Sequence, residues 1–278
     1  MDEKKSFFDL MSRGQSFAFG IIGGVLVLCT IGFFITLGIL LSGGSSTTET
    51  VDNKPAVVQN DVDGAVAPSP TVVKSDKPVV ELFVMSYCPY GLQMEKAYLP
   101  AWELLKNKAD ISLKFVSYAM HGKKEIDENT RQYCIGQDSK DKLIAYLKCF
   151  VAEDNSAKCL SAVKLTDEKL ASCVNSTDKK YKITEQYNDK STWLSGRYPI
   201  YGIDGDLNTK YDVQGSPTLV INGTQVNVAR TPEAVKQVIC AAFNKQPEEC
   251  KKVLSNSSYS AGFGLTASDN AANVECGV

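Results

Sequence analysis

Apolar and polar positions divide the chain into blocks of different period. From Phe17 to Leu41 the residues are predominantly apolar and carry no charge. About 20 apolar residues suffice to cross the hydrocarbon core of a bilayer, so residues 17–41 predict a transmembrane anchor. Lys4, Lys5 and Arg13 precede this run and the next cation is Lys54, which places residues 1–16 in the cytoplasm and the rest of the chain outside. A cleaved leader is the rival reading. Its apolar core would span about 7–15 residues and end close to a small-x-small site, whereas the Ala-x-Ala of Ala65–Ala67 lies far past this run. Residues 42–77, rich in Ser, Thr, Asp, Val and Pro and without periodicity, predict a flexible tether.

Ordered patterning begins at Val79. Val79–Met85 is a short apolar run ended by Ser86-Tyr87-Cys88-Pro89, the signature of a buried central strand. Pro89 suits the first turn of a helix. Leu92, Ala97, Leu99, Trp102 and Leu105 supply an apolar face as far as about Lys106, with Pro100 expected to kink it. Ile111–Val116 alternates and predicts a second strand, giving a strand–helix–strand unit with a cysteine at the helix start. Glu125 to about Lys190 is helical in character, with residues 125–152 read as one long helix. Val213–Ile221 and Thr224–Val228 flank Asn222-Gly223, a strong hairpin signal. A last helix is expected from Pro232 to Phe243 with Thr231 as N-cap. Residues 255–278, dominated by Ser, Gly, Ala and Asn, predict a disordered tail.

Composition changes this picture at one point. The net charge of -2 gives no basic face for nucleic acid. Nine cysteines with no Cys-x-x-Cys pair, and a single histidine, argue against a Cys/His metal site and for disulfides in an oxidising compartment. On one helix, Cys134 and Cys149 would stand fifteen positions, or about 22 Å, apart and could not bond. A reversal near Asn155 then brings Cys149 to Cys159 and Cys134 to Cys173. Cys240 and Cys250 flank the end of the last helix and a turn at Pro247, and close a local loop. Cys29 lies in the predicted span, and Cys88 and Cys276 are left without partners.

Cys88 carries the candidate chemistry. Unpaired N–H groups and the dipole of a helix N-terminus stabilise a thiolate, so Cys88 is expected to be accessible and to have a lowered pKa. Gly91, where a second thiol would release a trapped substrate, has no side chain. With its neighbour cysteines otherwise paired, Cys276 is the candidate resolving thiol; pairing of Cys276 with a second chain or a small thiol is the alternative. His121 could stabilise the thiolate or be structural. Asp204, Asp206 and Asn208 have the start of a calcium-loop spacing, but Thr209 and Gly215 stand where glycine and glutamate are required.

The element order, with Cys88-Pro89-Tyr90-Gly91 opening the first helix and Gly215-Ser216-Pro217-Thr218 before the hairpin, resembles DsbA-like proteins of the thioredoxin fold. That resemblance implies a cis peptide before Pro217, leaving the Ser216 backbone beside Cys88 for an extended substrate. It also gives Pro89 and Tyr90 auxiliary roles. His121-Gly122-Lys123-Lys124-Glu125, Asn129, Cys134, Cys149, Cys159, Cys173 and the Cys240–Cys250 ending resemble the gamma-interferon-inducible lysosomal thiol reductase family. The chain has Ala119, Ile126 and Gly91 where that family's signature has cysteines.

The fold class expected is therefore α/β and thioredoxin-like over residues 78–254, with a disulfide-linked helical insertion at about 122–200. The activity expected is thiol-disulfide exchange through one cysteine at the outer face of the plasma membrane. Partners would be proteins with thiols or disulfides and a redox partner or small thiol, with no metal and no organic cofactor. A non-catalytic peptide-binding module and a structural envelope domain are the alternatives.

Overall fold

The computed structural model describes residues 72–268 and 276–277. The expected cytoplasmic segment and the anchor at 17–41 lie outside the described residues, among which no helix is long and apolar enough to cross a membrane.

Strand β1 (Val79–Val84) is central because both its faces are covered: Val80, Leu82, Phe83 and Val84 are all fully buried. Helix α1 (Pro89–Leu105) follows, and its chain returns as β2 (Asp110–Phe115), parallel to β1. α1 does not end at Pro100. It packs against two later helices, and that burial holds the helical path across the missing N–H.

The insertion differs from the single long helix expected over 125–152. Helix α2 (Lys123–Asp138) stops at Ser139 and α3 (Lys140–Glu153) starts there. Ser139 is extended (φ -162°, ψ 126°) and its Oγ accepts from the Lys142 N–H at 3.3 Å. A serine that caps a new helix competes with continuation of the old one. Helices α4 (Ser156–Ala162), α5 (Asp167–Tyr181) and α6 (Ile183–Asn188) complete the insertion. Disulfides join Cys134 to Cys173, linking α2 to α5, and Cys149 to Cys159, linking α3 to α4. Ala119 and Ile126 are buried in the core.

Helix α7 (Gly205–Tyr211) precedes β3 (Gly215–Ser216) and β4 (Thr218–Ile221), and β4 lies antiparallel to β1. The segment from Asp204 to Asn208 fastens β2 to α7. The Asp204 carboxylate accepts from the Phe115 N–H at 2.9 Å, and the Asn208 side chain bonds Phe115 and Ser117. Asn222 and Gly223 both have positive φ and turn the chain into β5 (Thr224–Gln225), shorter than the pattern suggested. Helix α8 (Pro232–Ala241) packs on α1, capped by the Thr231 side chain, and Cys240 bonds Cys250 just beyond it. The sheet order is β2-β1-β4-β5. A parallel strand–helix–strand unit, an antiparallel hairpin and a closing helix make this a mixed α/β, thioredoxin-like arrangement, with the helical insertion between β2 and β3.

Two boundaries move. The tether expected to reach Lys77 is already fixed at Ser75, whose N–H donates to the Ala242 carbonyl and whose carbonyl accepts from Asn244. The tail expected to be disordered from Ser255 instead packs on the body, through β6 (Ser258–Tyr259) and β7 (Ala267–Ser268), which pair with each other. Its low apolar content hid this, because the tail is held mainly by backbone polar groups. Strand β8 (Cys276–Gly277) pairs antiparallel with β3.

Candidate active site

The site forms where β1 ends and α1 begins. Cys88 is the N-cap residue, with extended φ and ψ, and its sulfur accepts from the Gly91 N–H at 3.3 Å. Pro89 occupies the first helical position and is exposed. Tyr90 lies with its ring under the Arg230 guanidinium, 5.6 Å away. One free N–H of the helix end thus points at the Cys88 sulfur, the arrangement that stabilises negative charge on sulfur.

The second wall comes from the loop joining β3 to β4. The Ser216–Pro217 peptide is cis. The Ser216 carbonyl oxygen lies 3.3 Å from the Cys88 sulfur, and the Ser216 Oγ accepts from the Met85 N–H at 2.9 Å. Ser216 and Pro217 are both buried here. The same serine explains the glycine opposite. A Cβ on Gly91 would lie 2.6 Å from Ser216 Oγ and 3.2 Å from the Met85 carbonyl oxygen. The turn is packed for a residue without a side chain at that position.

Cys276 completes the site. Strand β8 lies along β3 with Cys276 opposite Ser216 and Gly277 opposite Gly215, and Cys276 is disulfide-bonded to Cys88, with Cα atoms 6.1 Å apart across 188 residues. Two expectations are corrected by this contact. Cys88 and Cys276 are disulfide partners rather than cysteines left without partners, which brings the candidate resolving thiol to the Cys88 sulfur, and Cys88 is fully buried rather than accessible. The tail strand lies over the sulfur, and in this form Cys88 has no thiol to titrate. Counting unpaired cysteines pointed to Cys276, but the seat along β3 that brings it to Cys88 depends on how the sheet packs.

His121 is held by Glu125. Its Nδ1 pairs with Glu125 Oε2, while the same carboxylate accepts from the backbone N–H groups of Tyr87 and Met120. The ring therefore belongs to a carboxylate-centred cluster that fixes the residue before Cys88. It is tied to the site through the backbone and not through the sulfur.

Several site residues went unread in the sequence. Lys96 is 3 % exposed, and its ammonium donates to the carbonyls of Ser260 (2.7 Å), Gly262 (2.8 Å) and Gly264 (2.8 Å). Gln93 donates to the Tyr259 carbonyl, and the Gly262 N–H donates to the Pro89 carbonyl. Phe263 packs edge-on against Tyr87 and Phe150. A lysine in the apolar stripe of α1, with an isolated Phe in a Gly-rich tail, was the available signal. On the same helix Glu95 is 1 % exposed, with neither carboxylate oxygen bonded among the described residues. Burial, with Glu128 nearby, pushes its pKa up to about 8.

No protein-family model and no curated protein sequence matches the chain. Solved structures similar to it include the reduced disulfide bond oxidoreductase DsbG of Mycobacterium tuberculosis, with 15% identity and a TM-score of 0.45, covering 66% of this chain and 88% of that one. The oxidised DsbA of the same organism has 15% identity and a TM-score of 0.45, over 66% and 94%. Oxidised BdbD of Bacillus subtilis has 18% identity and a TM-score of 0.39, over 66% and 93%. The strand order and site geometry, not these scores, carry the fold.

Proposed function

We propose that the chain is a membrane-tethered thiol-disulfide exchange protein, working outside the cytoplasm on secreted or envelope proteins that carry thiols or disulfides. Cys88 is the attacking sulfur. The observation that supports this reading most directly is the state of that sulfur: it caps a helix, receives the Gly91 N–H, lies beside the Ser216 carbonyl, and is engaged in a disulfide. The helix end favours the thiolate, and the thiolate is the species that attacks a disulfide and the better leaving group when one opens. The Ser216–Pro217 loop holds the β3 edge next to the sulfur, where an extended partner would pair once β8 leaves it, and Cys88 is the sole cysteine of its own turn. The anchor at 17–41 supplies the tether and the orientation.

Reduction of insulin in the presence of glutathione tests the reading. The wild type is expected to accelerate it and Cys88→Ser to leave the background rate. A wild type no faster than glutathione alone removes the exchange function. A second reading, a peptide-holding module, is favoured by the strand pairing of β8 on β3; peptide binding that persists in Cys88→Ser without any exchange in the wild type would select it.

A further inference from the structure

Three features of the tail fit together only if its cysteine has a task. The tail is fastened to the body well before Cys276: three carbonyls cage the Lys96 ammonium, Phe263 sits between Tyr87 and Phe150, and Gly264 N–H donates to the Val151 carbonyl. Ser268, the last residue of β7, is eight positions before Cys276, so the cysteine's reach from there is at most about 29 Å. Second, β8 occupies the β3 edge in register, setting Cys276 opposite the residue whose carbonyl touches the Cys88 sulfur. Third, the body is cut to receive it. A Cβ on Gly215 would lie 2.4 Å from the Cys276 carbonyl oxygen and 3.1 Å from Gly277 Cα, and the nearest atoms it would meet all belong to the tail. The turn itself has no room for a local second cysteine, since Ser216 Oγ fills the space over Gly91.

We propose that Cys276 is the second redox cysteine of the site, delivered by strand β8 to the β3 edge, and that the tail holds the substrate's seat until exchange displaces it. The proposal rests on Cys88 being the exchange nucleophile. From the reduced protein, the Cys88 thiolate attacks one sulfur of a substrate disulfide. The substrate's S–S bond breaks, and its other sulfur leaves as a thiolate that takes a proton from water. Cys276, its proton lost to solvent, then attacks the Cys88 sulfur. The bond from Cys88 to the substrate breaks, the second substrate thiolate leaves, and the Cys88–Cys276 disulfide forms. The substrate gains two electrons and the protein loses two. Starting from the disulfide and a dithiol substrate, the same bonds exchange in reverse. In either direction the substrate's extended segment and β8 compete for one strand edge, and the substrate cysteine takes the place opposite Ser216.

The test is a single turnover of the full, pre-reduced chain with oxidised glutathione, quenched in acid and read by mass. The wild type is expected to release two glutathione molecules per chain with no lasting adduct, at a rate independent of protein concentration. Cys276→Ser is expected to release one and to keep glutathione on Cys88, clearing it at least tenfold more slowly. Gly215→Ala keeps both sulfurs and obstructs only the strand seat. Once the adduct has formed, the variant is expected to resolve it at least tenfold more slowly. Clearance of the adduct in Cys276→Ser at the wild-type rate would overturn the proposal. So would unimpaired resolution in Gly215→Ala, as to the strand seat. If Cys88 takes no glutathione in Cys276→Ser, the nucleophile reading has failed and the proposal falls with it, a result distinct from an adduct that forms and clears normally.

Discussion

The four disulfides of the described residues fall into two settings. Cys134–Cys173, Cys149–Cys159 and Cys240–Cys250 each join segments separated by 39 residues or fewer. The first two staple helices to one another and the third closes the turn that follows α8. Cys88–Cys276 spans 188 residues, begins at a helix N-cap and lies along a strand edge held beside it. Similar bonds thus sit in different surroundings, and the proposed function assigns them different chemistry on that ground. A bridge between packed helices gains nothing by opening. A bridge at a helix N-terminus leaves behind a stabilised thiolate when it opens, and under the proposed function it is the bridge expected to exchange.

The comparison can be broken most decisively at the two kinds of cysteine. Cys88→Ser is expected to bring insulin reduction to background, whereas the double variant Cys134→Ser/Cys173→Ser should keep the glutathione turnover at Cys88. The double variant should instead lose about 2–5 kcal/mol of stability, seen as a lower urea midpoint. Loss of exchange in the double variant, with the fold intact by circular dichroism, would erase the distinction. Stepwise reduction of the native protein should likewise open Cys88–Cys276 before the other three, as read by differential alkylation and peptide mapping.

Glu95 sharpens the comparison from inside α1, the helix that Cys88 caps. Its folded pKa of about 8 lies above the unfolded value near 4.5, so folding favours the protonated carboxyl. That stabilisation is fully present below about pH 4.5 and is lost as the pH rises toward 8. Glu95→Gln is expected to be nearly flat over this window and the more stable protein at pH 8. Each pKa unit corresponds to about 1.4 kcal/mol, so the gap should reach a few kcal/mol in denaturant unfolding. Parallel wild-type and variant curves would remove the buried, neutral carboxyl.

The smallest expected effect lies in the tail's first anchorage. Lys96→Met leaves three carbonyls without their ammonium and should cost about 1–3 kcal/mol. Because the tail then starts from a looser base, closure of Cys88–Cys276 should slow several-fold while the first step at Cys88 is unchanged. Equal closure rates would mean that the strand seat alone positions Cys276.

Much of the fold could be read directly from the residues. The apolar run before Cys88, Pro89 at a helix start, Asn222-Gly223 between apolar runs and Thr231 before α8 are local signals, and each acts over a few residues through backbone geometry or burial. The break at Ser139 was missed because the helical pattern continues on both sides, and only the side-chain cap distinguishes two helices from one. The ordered tail was missed because polar contacts leave no periodic trace: a buried lysine gathering three carbonyls reads, in sequence, as one charge and a Gly-rich stretch.

The sequence by itself determined the strand–helix–strand unit, the hairpin and the placement of Cys88 at a helix N-terminus. Those depend on near neighbours, whose constraints are fixed along the chain. Only the tertiary structure decided that Cys276 meets Cys88, that Ser216 Oγ fills the space over Gly91, and that Gly215 clears a path for the tail. Contacts across 188 residues are set by how the sheet and helices pack, and spacing along the chain carries no record of that packing.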